Sequence, residues 1–217
     1  MKKDVCLAKL NRGGLVPIIR VNNPEIAFKT GFALYNGGVE VVEITMTVPN
    51  ALKVISDLRE KFQEKVLIGA GTVLDSETAR AAILAGAQFL VAPNFNPGFI
   101  EICHRYSVIS IPGALTPTEI LQAWSLGADI VKVFPAGLVG GPKYIAAVKE
   151  AMPQVKLLGL GKVNLETAVE YIKAGADLIG VGTALVDKEA ITDNRFEVIT
   201  EKAKQFKQAV ATGRSLN

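Results

Sequence analysis

One lysine of this sequence stands inside a run of apolar residues, where an ammonium group is costly to bury. Lys132 is preceded by Ile130 and Val131 and followed by Val133 and Phe134. Burial disfavours the charged form and lowers the pKa of the amine, and a neutral amine is a nucleophile towards carbonyl carbon. The pattern therefore predicts Schiff-base chemistry at Lys132, provided that its side chain points into the protein interior.

A carboxylate in a similar apolar setting is the candidate partner of this amine. Glu43 lies in the run Val41-Val42-Glu43-Ile44-Thr45, and it would donate and accept protons at the carbon next to an iminium. A structural alternative stays open, in which Lys132 points outward between helices or Glu43 forms a salt bridge with Lys132 or Arg20. Arg20 ends the first apolar run, so it is equally a candidate clamp for a carboxylate or phosphate.

Small and hydroxyl side chains follow another apolar run. The segment Gly69-Ala70-Gly71-Thr72 lets a ligand approach the backbone, and the Thr72 hydroxyl can bind a carboxylate or a hydroxyl. Its structural alternative is an ordinary tight turn. Thr116 and Glu119 stand at capping-box spacing, which indicates a helix start.

Two glycine-rich loops late in the chain are candidates for binding an anion. They read Gly159-Leu160-Gly161-Lys162-Val163-Asn164 and Gly180-Val181-Gly182-Thr183-Ala184. Backbone N–H groups and the Thr183 hydroxyl would bind phosphate, and Lys162 would add positive charge. We therefore predict a phosphate site formed by Gly161, Lys162, Gly182 and Thr183, with a plain pair of turns as the structural alternative.

Short aliphatic runs alternate with amphipathic segments, which predicts the elements that position these residues. Strands are predicted at 15–20, 39–45, 66–69, 89–92, 108–111, 130–134, 156–158 and 178–181, and helices at 24–35, 50–62, 76–85, 97–106, 117–126, 142–152, 165–174 and 195–210. Predicted N-cap residues are Asn23, Asn50, Ser76, Asn96 and Thr116. Eight apolar strands alternating with eight helices predict an α/β fold with a parallel sheet, either doubly wound or closed as a (β/α)8 TIM barrel.

A fourfold repeat favours the barrel over the open sheet. Four glycines, each placed between a predicted helix and the next strand, recur at nearly even spacing: Gly38, Gly86, Gly127 and Gly175. No Gly-x-Gly-x-x-Gly follows the first strand, as it would in many dinucleotide-binding sheets.

The repeat also predicts where the amine and the carboxylate lie. The fifth residues after the four glycines are Glu43, Val91, Lys132 and Gly180. In a barrel, alternate strands contribute one inward layer of four side chains. The sequence therefore predicts that Glu43 and Lys132 face each other across the barrel, near its upper end.

Composition excludes several other classes of protein. The chain has 217 residues, 49% of them hydrophobic and 21% charged, which predicts a single globular domain over 1–217 with a frayed tail at 211–217. A scattered net charge of +3 argues against nucleic acid as a partner. We also expect no membrane span and no signal peptide, and hence a cytoplasmic protein. Two cysteines and one histidine argue against a disulfide framework, a metal site and a Ser-His-Asp triad.

Taken together, the motifs resemble the class I aldolases that cleave 2-keto-3-deoxy-6-phosphogluconate (KDPG) and 4-hydroxy-2-oxoglutarate. The resemblance runs from residue 16 to residue 185, and its most specific pieces are Glu43-Ile44-Thr45, Gly69-Ala70-Gly71-Thr72 and Lys132-Val133-Phe134-Pro135. It implies a (β/α)8 barrel that needs no metal or cofactor, forms a homotrimer and acts on a small 2-keto acid and an aldehyde.

The resemblance also implies roles for individual residues. Lys132 matches the Schiff-base lysine and Glu43 the proton shuttle, while Thr72 and Pro93 match residues that line the pyruvate site. Some members carry an arginine that binds the pyruvate carboxylate where this chain has Thr47, so Arg20 is expected to take more of the anion binding here. The loop usually reads Pro-Thr-Gly-Gly-Val, but this chain has Gly159-Leu160-Gly161-Lys162-Val163.

The expected reaction is cleavage of KDPG to pyruvate and glyceraldehyde 3-phosphate. The first alternative is the same lysine chemistry on a substrate without phosphate, such as 4-hydroxy-2-oxoglutarate. A more remote alternative is a barrel that binds a ligand without catalysis, in which Lys132 and Glu43 merely pair. One histidine makes a metal-dependent aldolase a weaker alternative.

Overall fold

Parallel strands form a closed barrel in this computed structural model, which describes residues 1–216. The strands are β1 (Leu15–Ile19), β2 (Val41–Thr45), β3 (Leu67–Gly71), β4 (Phe89–Val91), β5 (Ile109–Ile111), β6 (Gly113–Ala114), β7 (Val131–Val133), β8 (Leu157–Leu160) and β9 (Leu178–Val181). The sheet order is β5-β4-β3-β2-β1-β9-β8-β7-β6. Because β5 and β6 are joined by one residue, the two ends of this order meet and the ring closes.

Helices alternate with the strands and cover the outside of the ring. They are α1 (Lys3–Gly13), α2 (Pro24–Asn36), α3 (Ala51–Phe62), α4 (Ser76–Leu84), α5 (Pro97–Arg105), α6 (Pro117–Ser125), a 3-10 turn (Ala136–Leu138), α7 (Pro142–Ala151), α8 (Leu165–Lys173), α9 (Lys188–Thr192) and α10 (Phe196–Ser215). The predicted (β/α)8 barrel is confirmed. Among residues 1–216, no helix is both long enough and apolar enough to cross a membrane.

Pro112 divides one barrel position into two short strands, β5 and β6. β5 pairs with β4, whereas β6 pairs with β7. Proline has no N–H to donate to a ladder, but the Pro112 carbonyl accepts a hydrogen bond of 2.8 Å from Lys132 N. The break therefore lies directly beside the candidate lysine, and the sequence-based assignment of a single strand there missed it.

The four repeat glycines adopt the conformation that their position after a helix requires. Gly38, Gly86, Gly127 and Gly175 have φ values of 80°, 97°, 84° and 95°, in the left-handed region that glycine enters without steric cost. Each glycine reverses the chain so that the next strand begins at the same depth in the barrel. Because of this common geometry, the fifth residues after the four glycines lie at one level of the barrel.

Strand register confirms the predicted inward layer of Glu43, Val91, Lys132 and Gly180. Around the ring the paired residues are Glu43 with Gly69, Gly71 with Val91, Val91 with Ile111, Gly113 with Lys132, Lys132 with Leu158, Leu160 with Gly180, Gly180 with Val16 and Ile18 with Glu43. On β3, on β5 and β6 together, on β8 and on β1, the residue that pairs with one neighbouring strand lies two positions from the residue that pairs with the other. These four offsets add up to a stagger of eight residues, which is typical of this fold.

Helix α1, which the sequence analysis missed, closes the amino end of the barrel. Its Cys6 and Leu10 are buried in one cluster with Val16, Val41 and other interior strand residues. These two residues stand four apart and so share one face of the helix. The interior is thus apolar at its amino end, and the inward layer with Lys132 lies towards the open carboxyl end.

Two local predictions were wrong, and a third was right only in position. Asn50 is the N-cap residue of α3, as predicted, but it adopts a left-handed conformation and its side chain makes no capping hydrogen bond. Asp75, one residue before Ser76, is the N-cap of α4. The tail expected to fray from residue 211 is helical to Ser215, because Arg214 donates hydrogen bonds to the carbonyls of Asn11 and Arg12. The last residue of that predicted tail, 217, lies outside the described residues.

Candidate active site

Lys132 lies on the inner surface of the barrel at its carboxyl end. Its side chain belongs to β7 and the residue is 5% exposed. Burial lowers the pKa of the amine; the Glu43 carboxylate opposes this shift, and the Arg20 guanidinium adds to it. Lys132 Nζ lies 4.7 Å from the centroid of the Phe134 ring. Burial thus favours the neutral amine, which is the form that a nucleophile requires.

Glu43 projects from β2 into the same layer. It is 2% exposed, and burial raises the pKa of its carboxyl from the ordinary 4.5 to about 6, against the lowering effects of Lys132 and Arg20. Its Oε2 atom is buried without a hydrogen-bond partner. Among residues 1–216, Glu43 and Lys132 form no hydrogen bond or ion pair. The alternative of a structural salt bridge is therefore not realised, and both groups keep their reactive atoms free.

The space that Glu43 fills is provided by Gly71 on the neighbouring strand. A Cβ atom built on Gly71 would lie 1.7 Å from Glu43 Oε1. Any side chain at position 71 would therefore displace the carboxylate. This is a structural reason for glycine at the end of β3, beyond the tight turn that the sequence indicates.

Arg20, Thr47 and Thr72 come together at the carboxyl ends of β1, β2 and β3. Arg20 donates hydrogen bonds to the Thr72 hydroxyl at 2.9 Å and to the Thr47 hydroxyl at 3.5 Å. Behind them, buried Thr45 donates to the Ile19 carbonyl at 3.1 Å and contacts the Thr47 hydroxyl at 2.9 Å. This network holds an exposed guanidinium beside two hydroxyl groups, an arrangement suited to a carboxylate.

Pro93 lies beside the strand that pairs with Lys132. It follows β4 and is half-buried. A Cβ atom on Gly113 would lie 2.4 Å from the Pro93 carbonyl oxygen, and Gly113 pairs with Lys132 across the sheet. The predicted pyruvate-lining residue is therefore close to the candidate nucleophile.

The four residues predicted to bind phosphate lie in one open cavity of about 720 Å³. Gly161 and Lys162 line it from the loop after β8, and Gly182 and Thr183 from the loop after β9. Lys132, Glu43, Thr47, Thr72 and Pro93 are not among its lining residues. Arg20 and Phe134 connect the two regions. Both line the cavity, while the Phe134 ring also lies against Lys132 and Arg20 also donates to Thr72.

Sequence reasoning missed four of the residues that line this cavity, namely Ile18, Phe134, Val186 and Lys188. Lys188 is the first residue of the short helix α9, which was not predicted. The N-capping aspartate Asp187 directly before it was the available signal, since it marks a helix start just after the last strand. Within residues 1–216, no group of three His, Cys, Asp or Glu side chains is arranged to hold a metal ion.

Fold and site together define a (β/α)8-barrel protein with a buried amine opposite a carboxylate, below an opening lined with cations. A family model described as the KDPG and KHG aldolase family matches residues 7–202. The chain belongs to this family of aldolases, and it is therefore a carbon–carbon lyase.

Similar proteins agree with this assignment. A 2-dehydro-3-deoxy-phosphogluconate aldolase of Treponema pallidum is 34% identical over 93% of this chain and 95% of its own length. A 2-dehydro-3-deoxy-6-phosphogalactonate aldolase of Escherichia coli is 30% identical over 90% of this chain and 96% of its own. The crystal structure of a Legionella pneumophila KDPG aldolase, with pyruvate captured as a covalent carbinolamine, has a TM-score of 0.85 at 29% identity, covering 91% and 96% of the two chains.

Proposed function

We propose that this aldolase cleaves KDPG, which is also named 2-dehydro-3-deoxy-6-phosphogluconate, to pyruvate and glyceraldehyde 3-phosphate through a Schiff base on Lys132. One observation carries the proposal: Lys132 and Glu43 occupy the same inward layer, both are buried, and neither is neutralised by a direct ion pair. A barrel that only needed a structural charge pair would bring the two groups into contact.

Lys132 begins the reaction as a nucleophile. The neutral amine attacks the C2 carbonyl of the substrate and forms a carbinolamine. The Glu43 carboxylic acid gives a proton to the carbinolamine hydroxyl, which leaves as water, and the product is an iminium ion. The iminium nitrogen accepts the electron pair released when the C3–C4 bond breaks. The C4 hydroxyl loses its proton and becomes the aldehyde, and an enamine of pyruvate remains on Lys132.

Glu43 moves the protons in this sequence. As a carboxylate it accepts the proton from the C4 hydroxyl, and as a carboxylic acid it protonates the enamine at C3, after which water releases pyruvate. A pKa of about 6 suits a group that must do both near neutral pH. The Oε2 atom has no hydrogen-bond partner among residues 1–216, so no neighbouring group holds this carboxyl in one protonation state.

The substrate's two anionic ends are assigned to the two ends of the site. Arg20, Thr47 and Thr72 bind the carboxylate next to C2, with Pro93 lining the same region. The phosphate lies at Gly161, Lys162, Gly182 and Thr183, in the cavity that Arg20 also lines. Support comes from the Legionella pneumophila relative, which holds pyruvate as a covalent carbinolamine. From the resemblance of its motifs to the aldolase family, we also propose a cytoplasmic homotrimer that needs no metal or cofactor.

Borohydride reduction in the presence of pyruvate tests the Schiff base. Mass spectrometry of the digested protein is expected to find a reduced pyruvyl adduct on Lys132, and none in a Lys132→Met variant that fills the same space. Absence of an adduct in the unmodified protein would refute the proposed chemistry and favour a barrel that binds ligand without catalysis. Activity that chelators abolish would instead indicate the metal-dependent alternative.

A second candidate substrate, 4-hydroxy-2-oxoglutarate, is favoured by one feature. The loop at 159–163 lacks the hydroxyl and the second consecutive glycine that similar proteins use near phosphate. Comparing kcat/KM for the two substrates separates the candidates. A higher kcat/KM for 4-hydroxy-2-oxoglutarate would overturn the assignment of the phosphorylated substrate but not the role of Lys132.

A further inference from the structure

We propose that Lys188 is a specificity-determining residue that binds the phosphate end of the substrate. The inference rests on the proposed function and adds a residue that the phosphate loops do not contain. Of the residues that the structure describes, three cations line the cavity at the mouth of the barrel, namely Arg20, Lys162 and Lys188, and no aspartate or glutamate does so. A cavity lined in this way attracts an anion of more than one charge.

Arg20 is committed to the other end of the substrate. Its guanidinium donates to the hydroxyls of Thr47 and Thr72, and its charge acts on the pKa values of Lys132 and Glu43. It therefore lies close to the two reactive side chains. The far end of the cavity is left to Lys162 and Lys188.

The backbone that carries Lys188 is firmly held. The N–H groups of Leu185 and Val186 both donate to the Gly182 carbonyl, at 3.0 and 2.8 Å. Val186 is buried and itself lines the cavity. The turn from the predicted phosphate loop into α9 thus sets Lys188 at the cavity wall by a short, fixed path.

The carboxylate next to Lys188 is already neutralised by another cation. Asp187 accepts the N–H of Ala190 at 3.0 Å and pairs with Lys202 of α10 at 2.5 Å. The hydrogen bond from Lys202 is the leading cause of a lowered pKa at Asp187, so this carboxylate stays charged and engaged. The Lys188 ammonium, for its part, has no ion-pair or hydrogen-bond partner among residues 1–216.

Helix stability does not explain a lysine at this position. The first turn of a helix favours acidic side chains, and a cation there is slightly unfavourable. A residue that breaks a local preference without a compensating contact is a candidate for function. Lys188 lines the same cavity as Lys162, so it supplies a second positive charge to an anion bound there.

Steady-state kinetics with two substrates test the assignment. Lys188→Ala is expected to raise KM for the phosphorylated substrate about tenfold, the usual effect of losing one charge-assisted hydrogen bond, with kcat changed less than about twofold. KM for 4-hydroxy-2-oxoglutarate, whose chain is shorter, should stay within about twofold. Lys188→Arg should restore most of the loss and Lys188→Gln should not.

Two controls keep the outcome specific. Lys143→Ala removes an exposed lysine from the first turn of another helix, α7, which does not line the cavity, and it should leave both KM values unchanged. Inorganic phosphate, tested as a competitive inhibitor, should bind about tenfold more weakly to Lys188→Ala than to the unmodified protein.

Failure of the inference is distinguishable from failure of the proposed function. If borohydride traps pyruvate on Lys132 in both the unmodified protein and Lys188→Ala, but the two have the same KM for the phosphorylated substrate, Lys188 does not bind phosphate. Equal losses for both substrates would also overturn the assignment, because they would indicate a general electrostatic effect. No trapped pyruvate in the unmodified protein would refute the proposed function, and the inference with it.

Discussion

Replacing Glu43 by glutamine should stabilise the protein at neutral pH and not at acidic pH. The folded-state pKa of about 6 lies above the ordinary value of 4.5, so the folded chain binds this proton more tightly than the unfolded chain. The extra stability that this bound proton gives to the folded protein is fully present below pH 4.5, and it is lost as the pH rises through 6. One pKa unit corresponds to about 1.4 kcal/mol, so ionising Glu43 in the folded state costs about 2 kcal/mol.

Urea unfolding of the two proteins at pH 4 and pH 7.5, at one protein concentration, measures this cost. Any constant effect of the amide cancels between the two pH values, so the stability difference should shift by about 2 kcal/mol in favour of Glu43→Gln at pH 7.5. Glu60→Gln, at an exposed position on α3, controls for the substitution itself. In a Lys132→Met background the shift should be larger, because Lys132 lowers the pKa of Glu43.

A stability difference that does not change with pH, or one that favours glutamate at pH 7.5, would refute the reasoning. Either result would mean that burial does not raise the pKa of Glu43, and its assignment as a proton shuttle near neutral pH would lose its physical basis.

Two further substitutions test the geometry around the reactive pair. Gly71→Ala places a methyl group 1.7 Å from Glu43 Oε1, so kcat should fall about 100-fold as the carboxylate is displaced. Gly13→Ala, where a Cβ meets its nearest neighbour at 3.8 Å, is the control. An unchanged kcat in Gly71→Ala would contradict the role of Gly71. Thr45→Val breaks the link between the Ile19 carbonyl and Thr47, so it should raise the pyruvate concentration for half-maximal trapping about fivefold and cost about 1 kcal/mol of stability. Thr30→Val, which removes a buried hydroxyl within α2, should reduce stability without affecting trapping.

The barrel and the positions of Lys132 and Glu43 were predictable because their signals are local and repeated. Apolar runs, helix caps and the glycines at 38, 86, 127 and 175 fix where each strand begins. The period of two along a strand then fixes which side chains face inward. Counting five residues from each glycine was sufficient to find the layer that contains both reactive groups.

The parts that could not be predicted depend on contacts between distant segments. Helix α1 buries only Cys6 and Leu10 fully, and four of its eleven residues are charged, so its apolar face is too thin to recognise without the barrel end that it covers. The short helix α9 has five residues, below the length at which periodicity is informative. Lys188 lines a cavity that separate loops create together, and no local pattern in the sequence shows that arrangement.

Glycines at inward positions explain how one barrel combines a stable interior with a reactive end. Towards the amino end the interior positions carry large apolar side chains, including Val41, Leu67 and Phe89. Towards the carboxyl end, the absence of a side chain at Gly71 leaves room for the Glu43 carboxylate, and its absence at Gly113 leaves room for the Pro93 backbone. These glycines leave the upper layer to charged groups whose burial is unfavourable, as the shifted pKa values of Lys132 and Glu43 indicate. The dense apolar packing closed by α1 offsets that cost, so substitutions near Cys6 and Leu10 should reduce stability while leaving the chemistry at Lys132 intact.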